Sequence, residues 1–436
     1  MSVIIACIVL IFCFLINVPI FLSVLIALLT YFFSAGDISP LIAVQRIIGA
    51  GENVTLLAIP FFILLGNLLN YTGITRRMLK FTGTLSGHYP GGLAQSNVLL
   101  STMMGGLSAS NLADCAMLSK MLVPEMTKLG YGKSFSAAVT AAGSLITPII
   151  PPGIALIIYG FVADVSIGKM FMAAIIPGLM CCVALMVAIY LIAKKRGYKP
   201  ARDKAPTFAE VYQTGKGAMS AFLLVLVIIG GIRFGIFTPT EAGAIAVLYV
   251  IVIGTFFYRE MKLKDIAASF LETARSTASI MLIIMTCSAL AWVLTNEQVA
   301  QDVARMMTNF SDNPYVFLMI VNAVLLILGM FIEGNAAIIV LVPLLMPTVK
   351  LLGIDPIHFG IVMILNLAIG CLTPPMGTVM FVATSITGVR ISDFIREVMP
   401  LFFALIIVLT LSHLYACIYY FPTKLIRYLS MANHFL

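Results

Sequence analysis

Charge is what this chain has least of. Asp, Glu, Lys and Arg supply 10% of its 436 residues, against about 25% in an ordinary soluble domain. Hydrophobic residues supply 61%, and mean hydropathy is +1.09. No water-soluble fold of this length hides so much apolar surface, which excludes a soluble enzyme, a nucleic-acid binder and a secreted disulfide scaffold. Paired cysteines are also missing: all eight lie in apolar stretches and none forms a C-x-x-C pair, so they read as free buried thiols. The four histidines show no metal-ligand spacing. The first residues lack the basic n-region of a signal peptide. The apolar run from Val3 to Phe33 reads instead as one spanning helix, tilted or bent at Pro19.

What the chain does have is a succession of apolar segments, at 54–73, 92–104, 112–128, 134–150, 153–165, 167–193, 217–235, 239–258, 275–295, 314–332, 336–352, 357–372, 375–387 and 398–421. Several run for only 13–17 residues, short of the roughly 20 that cross a hydrocarbon core. They read as half-spans or re-entrant arms, which are tolerated only inside protein or beside water. The formal charge of +8 is gathered in short clusters between these segments. Lys194, Lys195, Arg196, Lys199, Arg202 and Lys204 form one, and Arg259, Lys262 and Lys264 a second, two spans later. Two crossings return the chain to the same side, so both are expected to be cytoplasmic. Lys424 and Arg427 fit a cytoplasmic C-terminus, and Arg76, Arg77 and Lys80 an interfacial stretch.

A shift of 223 residues lays 105–160 on 328–383 without gaps. Gly106 falls on Gly329, Ala113 on Ala336, Leu122 on Leu345, Pro124 on Pro347, Leu129-Gly130 on Leu352-Gly353, and Pro151-Pro152 on Pro374-Pro375. Five crossings lie between equivalent points, at 54–73, 134–165, 167–193, 217–235 and 239–258. An odd number inverts the second copy. Inverted repeats with discontinuous helices are the mark of secondary transporters. The fold expected is an all-α polytopic membrane protein with two re-entrant helical hairpins and two broken helices. Scaffold helices and an interfacial segment are expected over 1–90, a first repeat over 91–165, and central scaffold helices over 166–266. A second repeat follows over 267–388, and a C-terminal scaffold helix and tail over 389–436.

In each copy a short apolar arm runs into a small polar tip. The first tip is Gly105-Gly106-Leu107-Ser108-Ala109-Ser110-Asn111, the second Gly329-Met330-Phe331-Ile332-Glu333-Gly334-Asn335. Gly, Ser and Asn allow unwound backbone, whose unpartnered carbonyls suit a hard cation such as Na⁺. Thr147 to Gly153 and Gly370 to Gly377 are interrupted by prolines, which remove an N–H and clash with the carbonyl four residues back. Two such breaks facing two tips would make two cation sites near the midplane. Asp114 and Glu333 are ionisable residues in apolar context beside the tips, and intramembrane charge points to function. Both are expected to orient their tips. The substrate is expected between the tips, at Ser110, Asn111 and Asn335.

The stretches GGLSASNLAD, VPEMTKLGYGKSFSAAV, TPIIPPG, LVPLLMPTVKLLGIDPIHFGIV and GCLTPPMGT resemble the large membrane (M-type) subunit of TRAP transporters, the tripartite ATP-independent periplasmic type. The resemblance runs from the first span to about residue 421. It implies an elevator transporter in the bacterial inner membrane. It implies as partners a small four-helix membrane subunit and a periplasmic substrate-binding protein that delivers a small organic anion. It implies coupling to Na⁺ and no ATP hydrolysis, and no G-x-x-x-x-G-K-[ST] occurs. Carried over to matching positions, it places one Na⁺ on Gly105, Ser108, Thr147, Ile150 and Pro152, and a second on Gly329, Gly370, Thr373 and Met376, mainly through carbonyls. Family cargoes include C4-dicarboxylates, sialic acid and sugar acids. A stand-alone divalent-anion/Na⁺ symporter is the alternative. A channel would need neither inverted hairpins nor closed tips. An intramembrane protease would need paired aspartates, a Ser/His pair or H-E-x-x-H, and Asp114 has no second buried Asp partner in sequence.

Overall fold

The computed structural model describes residues 2–16, 18–36, 38–105, 110–202, 204–310 and 313–414. Lys424 and Arg427 lie outside them. All the regular structure among the described residues is helical. The first half of the chain forms α1 (Ser2–Leu15), α2 (Ile20–Ala35), α3 (Leu41–Gly51), α4 (Ala58–Leu69, entered through a 3₁₀ turn), α5 (Ile74–Ser86), α6 (Gly92–Gly105), α7 (Asn111–Lys128), α8 (Lys133–Ser144), α9 (Ile154–Val162) and α10 (Ile167–Arg196). The second forms α11 (Phe208–Arg233), α12 (Pro239–Val252, prolonged by a π turn), α13 (Leu263–Asn296), α14 (Val299–Phe310), α15 (Pro314–Phe331), α16 (Gly334–Leu351), α17 (Pro356–Gly370), α18 (Thr378–Thr387) and α19 (Ile391–Leu414). By length and composition, seven helices among the described residues can cross a membrane, or eight if α3 and α4, bent by 52°, make one span.

The repeat extends beyond the stretch where residues match. The same shift of 223 carries α7 onto α16 end to end, α5 onto α14, α3 and α4 onto α13, and α2 onto α12. Packing partners come in exchanged pairs. α7 packs on α18 as α16 packs on α9; α8 on α19 as α17 on α10; α2 on α13 as α12 on α4. A two-fold relation between the copies requires this. The inversion is visible where α10 meets its counterpart α19: Arg196, the last residue of α10, pairs at 2.7 Å with Glu397 near the start of α19, so the two run antiparallel. The broken helices form the centre. Phe135–Ser144 and His358–Gly370 are buried at every position.

The clusters expected on one side do converge. Arg77 pairs with Glu260 at 2.8 Å, and the Arg202 amide donates to the Gly87 carbonyl at 3.0 Å. The stretch 76–87, the loop after α10 and the loop before α13 therefore share one end of the molecule.

Three expectations need correction. Val3 to Phe33 is not one spanning helix but a hairpin. Ala6, Cys7 and Leu10 of α1 line the same small cavity as Ala27, Leu28 and Tyr31 of α2, and a chain reversal before Pro19 is needed to bring them together. Pro19 lacks the N–H that would continue α1, and small residues let the two helices close. The segment at 54–73 is the second half of a bent pair that begins at Leu41. α13 starts at Leu263, ahead of the expected 275, because Asp265 caps it by accepting from the Lys262 amide at 2.9 Å. Its early charged residues kept its first turns out of the hydropathy reading. The helices α10 and α19, expected in the scaffold, pack on each other, α10 also on α6 and α17 and α19 on α8.

Candidate functional site

The two tips are built alike by different residues. Ser110 caps α7, its hydroxyl accepting from the Ala113 amide at 3.3 Å. Glu333, the residue 223 positions on, caps α16, its carboxylate accepting from the Ala336 amide at 3.2 Å and from Asn335 Nδ2 at 2.7 Å. A side-chain oxygen at the N-cap satisfies an amide that the first turn of a helix leaves free. Asn111 Oδ1 accepts from the Leu112 amide at 2.9 Å. Asp114, 3% exposed, accepts from the Thr147 hydroxyl at 2.8 Å. That bond ties the first tip to the first proline break.

Of the residues expected around the first cation, Gly105, Thr147 and Ile150 come together. A methyl group on Gly105 would stand 2.8 Å from Ile150 Cβ and 3.2 Å from Thr147 Cα. Pro152 lies buried two residues further on. Ser108 lies outside the described residues. In the second copy Gly329 and Gly370 meet backbone to backbone. A methyl on Gly370 would stand 2.8 Å from Gly329 Cα and 3.0 Å from the Leu326 carbonyl oxygen. The Pro151-Pro152 and Pro374-Pro375 bonds are both cis.

The carbonyls of the second break are less free than the prolines alone suggest. Gly370 O accepts from the Thr373 amide at 2.9 Å, and Thr373 O accepts from the Gly377 amide at 3.1 Å. The Thr373 hydroxyl donates to Ile369 O at 3.0 Å. Each of these oxygens keeps a second lone pair. The Met376 side chain is 54% exposed.

Between tips and breaks lies a cleft of about 310 Å³. Ser110, Asn111 and Asp114 line it from the first tip, Glu333, Gly334 and Asn335 from the second, Pro148 and Cys371 from the breaks. The first residues of four helices open onto it: Asn111 to Ala113 of α7, Ile154 and Ala155 of α9, Gly334 and Asn335 of α16, and Thr378 of α18. Helix N-termini carry partial positive charge and unpaired amides. The cleft has no Lys or Arg among its described lining residues, but it has three carboxylates: Asp114, Glu272 and Glu333.

Its far wall belongs to α4 and α13, through Asn67, Asn70, Glu272 and Ser276. The sequence reading missed these four. A signal was present: Asn67 and Asn70 stand three apart, and Glu272 and Ser276 four apart, each pair on one helix face.

Comparison with known proteins follows the same lines. Residues 7–417 match the family described as tripartite ATP-independent periplasmic transporter, DctM component. The sialic acid TRAP transporter large permease SiaM of Vibrio cholerae is 40% identical over 395 residues, 91% of this chain and 92% of that protein. The C4-dicarboxylate TRAP transporter large permease DctM of Pseudomonas aeruginosa is 37% identical over 84% of this chain and 85% of its own. Among solved structures, the YdaH transporter of Alcanivorax borkumensis shares the fold, with a TM-score of 0.57 over 86% of this chain and 87% of that one at 15% identity.

Proposed function

The chain belongs to the tripartite ATP-independent periplasmic transporters as their large permease component, and from that premise we propose that it carries a small organic carboxylate inward together with Na⁺. It is a transport protein and not an enzyme, multi-pass in the bacterial inner membrane. Permeases of this family work with a small membrane subunit and a periplasmic binding protein; for this chain we propose a four-helix subunit and a binding protein that delivers the cargo. Relatives named for sialic acid and for C4-dicarboxylates have a carboxylate in common, which sets the proposed cargo class.

The observation that carries the reading is the cleft, where four helix starts and both tips meet three carboxylates, with no basic side chain among the described lining residues. Helix ends favour an anion, while the acids oppose one. Co-bound cations on Gly105, Thr147, Ile150 and Pro152 and on Gly329, Gly370, Thr373 and Met376 would supply the missing positive charge, with Ser108 completing the first set. Asn67, Asn70, Glu272 and Ser276 would face the cargo from α4 and α13. The elevator reading rests on division of labour: the cleft has one wall on the hairpins and broken helices and the other on α4 and α13.

The test is uptake of a labelled carboxylate into proteoliposomes holding both membrane subunits, with the binding protein outside. Uptake is expected to require Na⁺, with a Hill coefficient above one. For a monovalent anion with two Na⁺, an inside-negative potential should drive it by about 2.3 kcal/mol per net charge per 100 mV. Uptake indifferent to Na⁺ and to potential would remove the coupling. Full uptake without the binding protein would remove the tripartite assembly.

A further inference from the structure

A second polar cavity, of about 390 Å³, lies between α5 and α11, away from the cleft, at the end whose basic clusters assign it to the cytoplasm by the positive-inside rule. Arg77, Lys80, Arg202, Glu210, Gln213 and Thr214 are among its lining residues. We infer that it binds the phosphodiester headgroup of an anionic phospholipid.

Arg202 pairs with Glu210 at 2.8 Å, and Arg77 with Glu260 at 2.8 Å. Arg77 is further held by the Gly73 carbonyl at 3.0 Å and by the Tyr258 ring 3.6 Å from its guanidinium carbon. Lys80 has no carboxylate partner among the described residues, so three cations face two carboxylates and one positive charge is left over. One phosphodiester carries one negative charge. Each guanidinium keeps further N–H groups to share with a phosphate.

Anionic lipids concentrate in the cytoplasmic leaflet, and basic pockets between helices on that side take their headgroups. Thr214 donates its hydroxyl to the Glu210 carbonyl at 2.8 Å, which leaves its oxygen free to accept from a glycerol headgroup, and Gln213 offers a carboxamide beside it. A zwitterionic headgroup would bring its own cation next to Lys80 and the two arginines. The geometry thus favours phosphatidylglycerol over phosphatidylcholine.

The purified permease complex, titrated with phosphatidylglycerol or phosphatidylcholine and followed by native mass spectrometry and thermal unfolding, tests this. Phosphatidylglycerol should bind more tightly and raise the unfolding midpoint. Lys80→Gln should weaken it about fivefold, the effect of one basic residue, and leave phosphatidylcholine unchanged. Lys80→Arg should restore it. Gln213→Leu provides a second variant that keeps every charge, and should narrow the preference for the glycerol headgroup. Equal phosphatidylglycerol binding by wild type and Lys80→Gln would overturn the inference. So would inorganic phosphate that stabilises the wild type as well as the lipid does, since the ligand would then be soluble phosphate.

Discussion

A single methyl group at Gly370 would collide with the backbone of α15, because its three nearest neighbours are the Cα and carbonyl carbon of Gly329 and the Leu326 carbonyl oxygen. Backbone cannot swing aside as a side chain can. Gly370→Ala should therefore force α15 and α17 apart, costing about 1–3 kcal/mol, and should raise the Na⁺ concentration for half-maximal uptake. Gly230→Ala, where nothing lies within 4 Å, should be neutral or slightly stabilising because alanine favours helix. Thermal unfolding of both variants checks this, and equal midpoints would count against a tight glycine contact. Thr147 offers a second measurement at this scale. Thr147→Val takes one hydrogen bond from the buried Asp114 side chain, a loss of about 1 kcal/mol. Thr147→Ser keeps the hydroxyl and should retain most uptake; a serine variant as damaged as valine would mean that the methyl, not the bond, matters.

At the scale of elements, the proline breaks and the tips were legible because helix breakers are chemical: a missing N–H and an N-cap oxygen act wherever they stand. Pro152→Ala and Pro375→Ala should each restore a donor and let the helix close over carbonyls. Each should shift Na⁺ dependence at its own site, so the double variant should show both shifts. Unchanged Na⁺ dependence in both single variants, at equal membrane insertion, would make the breaks simple kinks. The hairpin of α1 and α2 was not legible. About thirty apolar residues satisfy one tilted span or two packed half-spans equally, and only the contact of Ala6, Cys7 and Leu10 with Ala27, Leu28 and Tyr31 decides between them.

For the whole molecule, the exchanged packing pairs mean that each copy supplies half of the other's environment. The pairs α7 with α18, α16 with α9, α8 with α19 and α17 with α10 knit one body, while α4 and α13 pair with α12 and α2 and hold the far wall of the cleft. If that body slides, a bridge across the cleft should stop it. Cysteines placed at Ser276 and Asn335, with Cys371 changed to alanine because it also lines the cleft, should on treatment with a bifunctional thiol reagent lose uptake and regain it on reduction. Uptake that survives full crosslinking would exclude movement between these walls.

Composition and spacing alone determined that the chain lives in a bilayer, that its halves repeat, and that polar tips and prolines interrupt its helices. Those properties are local, or recur at a fixed offset of 223 residues, and need no knowledge of neighbours. Tertiary structure decided which interruptions face one another, that Glu333 stands where the other copy uses Ser110 for the same cap, and that Asn67, Asn70, Glu272 and Ser276 complete the cleft from helices far away in the chain. The physical reason is that a polar residue on an apolar helix has the same local signature whether it faces a substrate, a lipid headgroup or another helix. Only packing chooses among them.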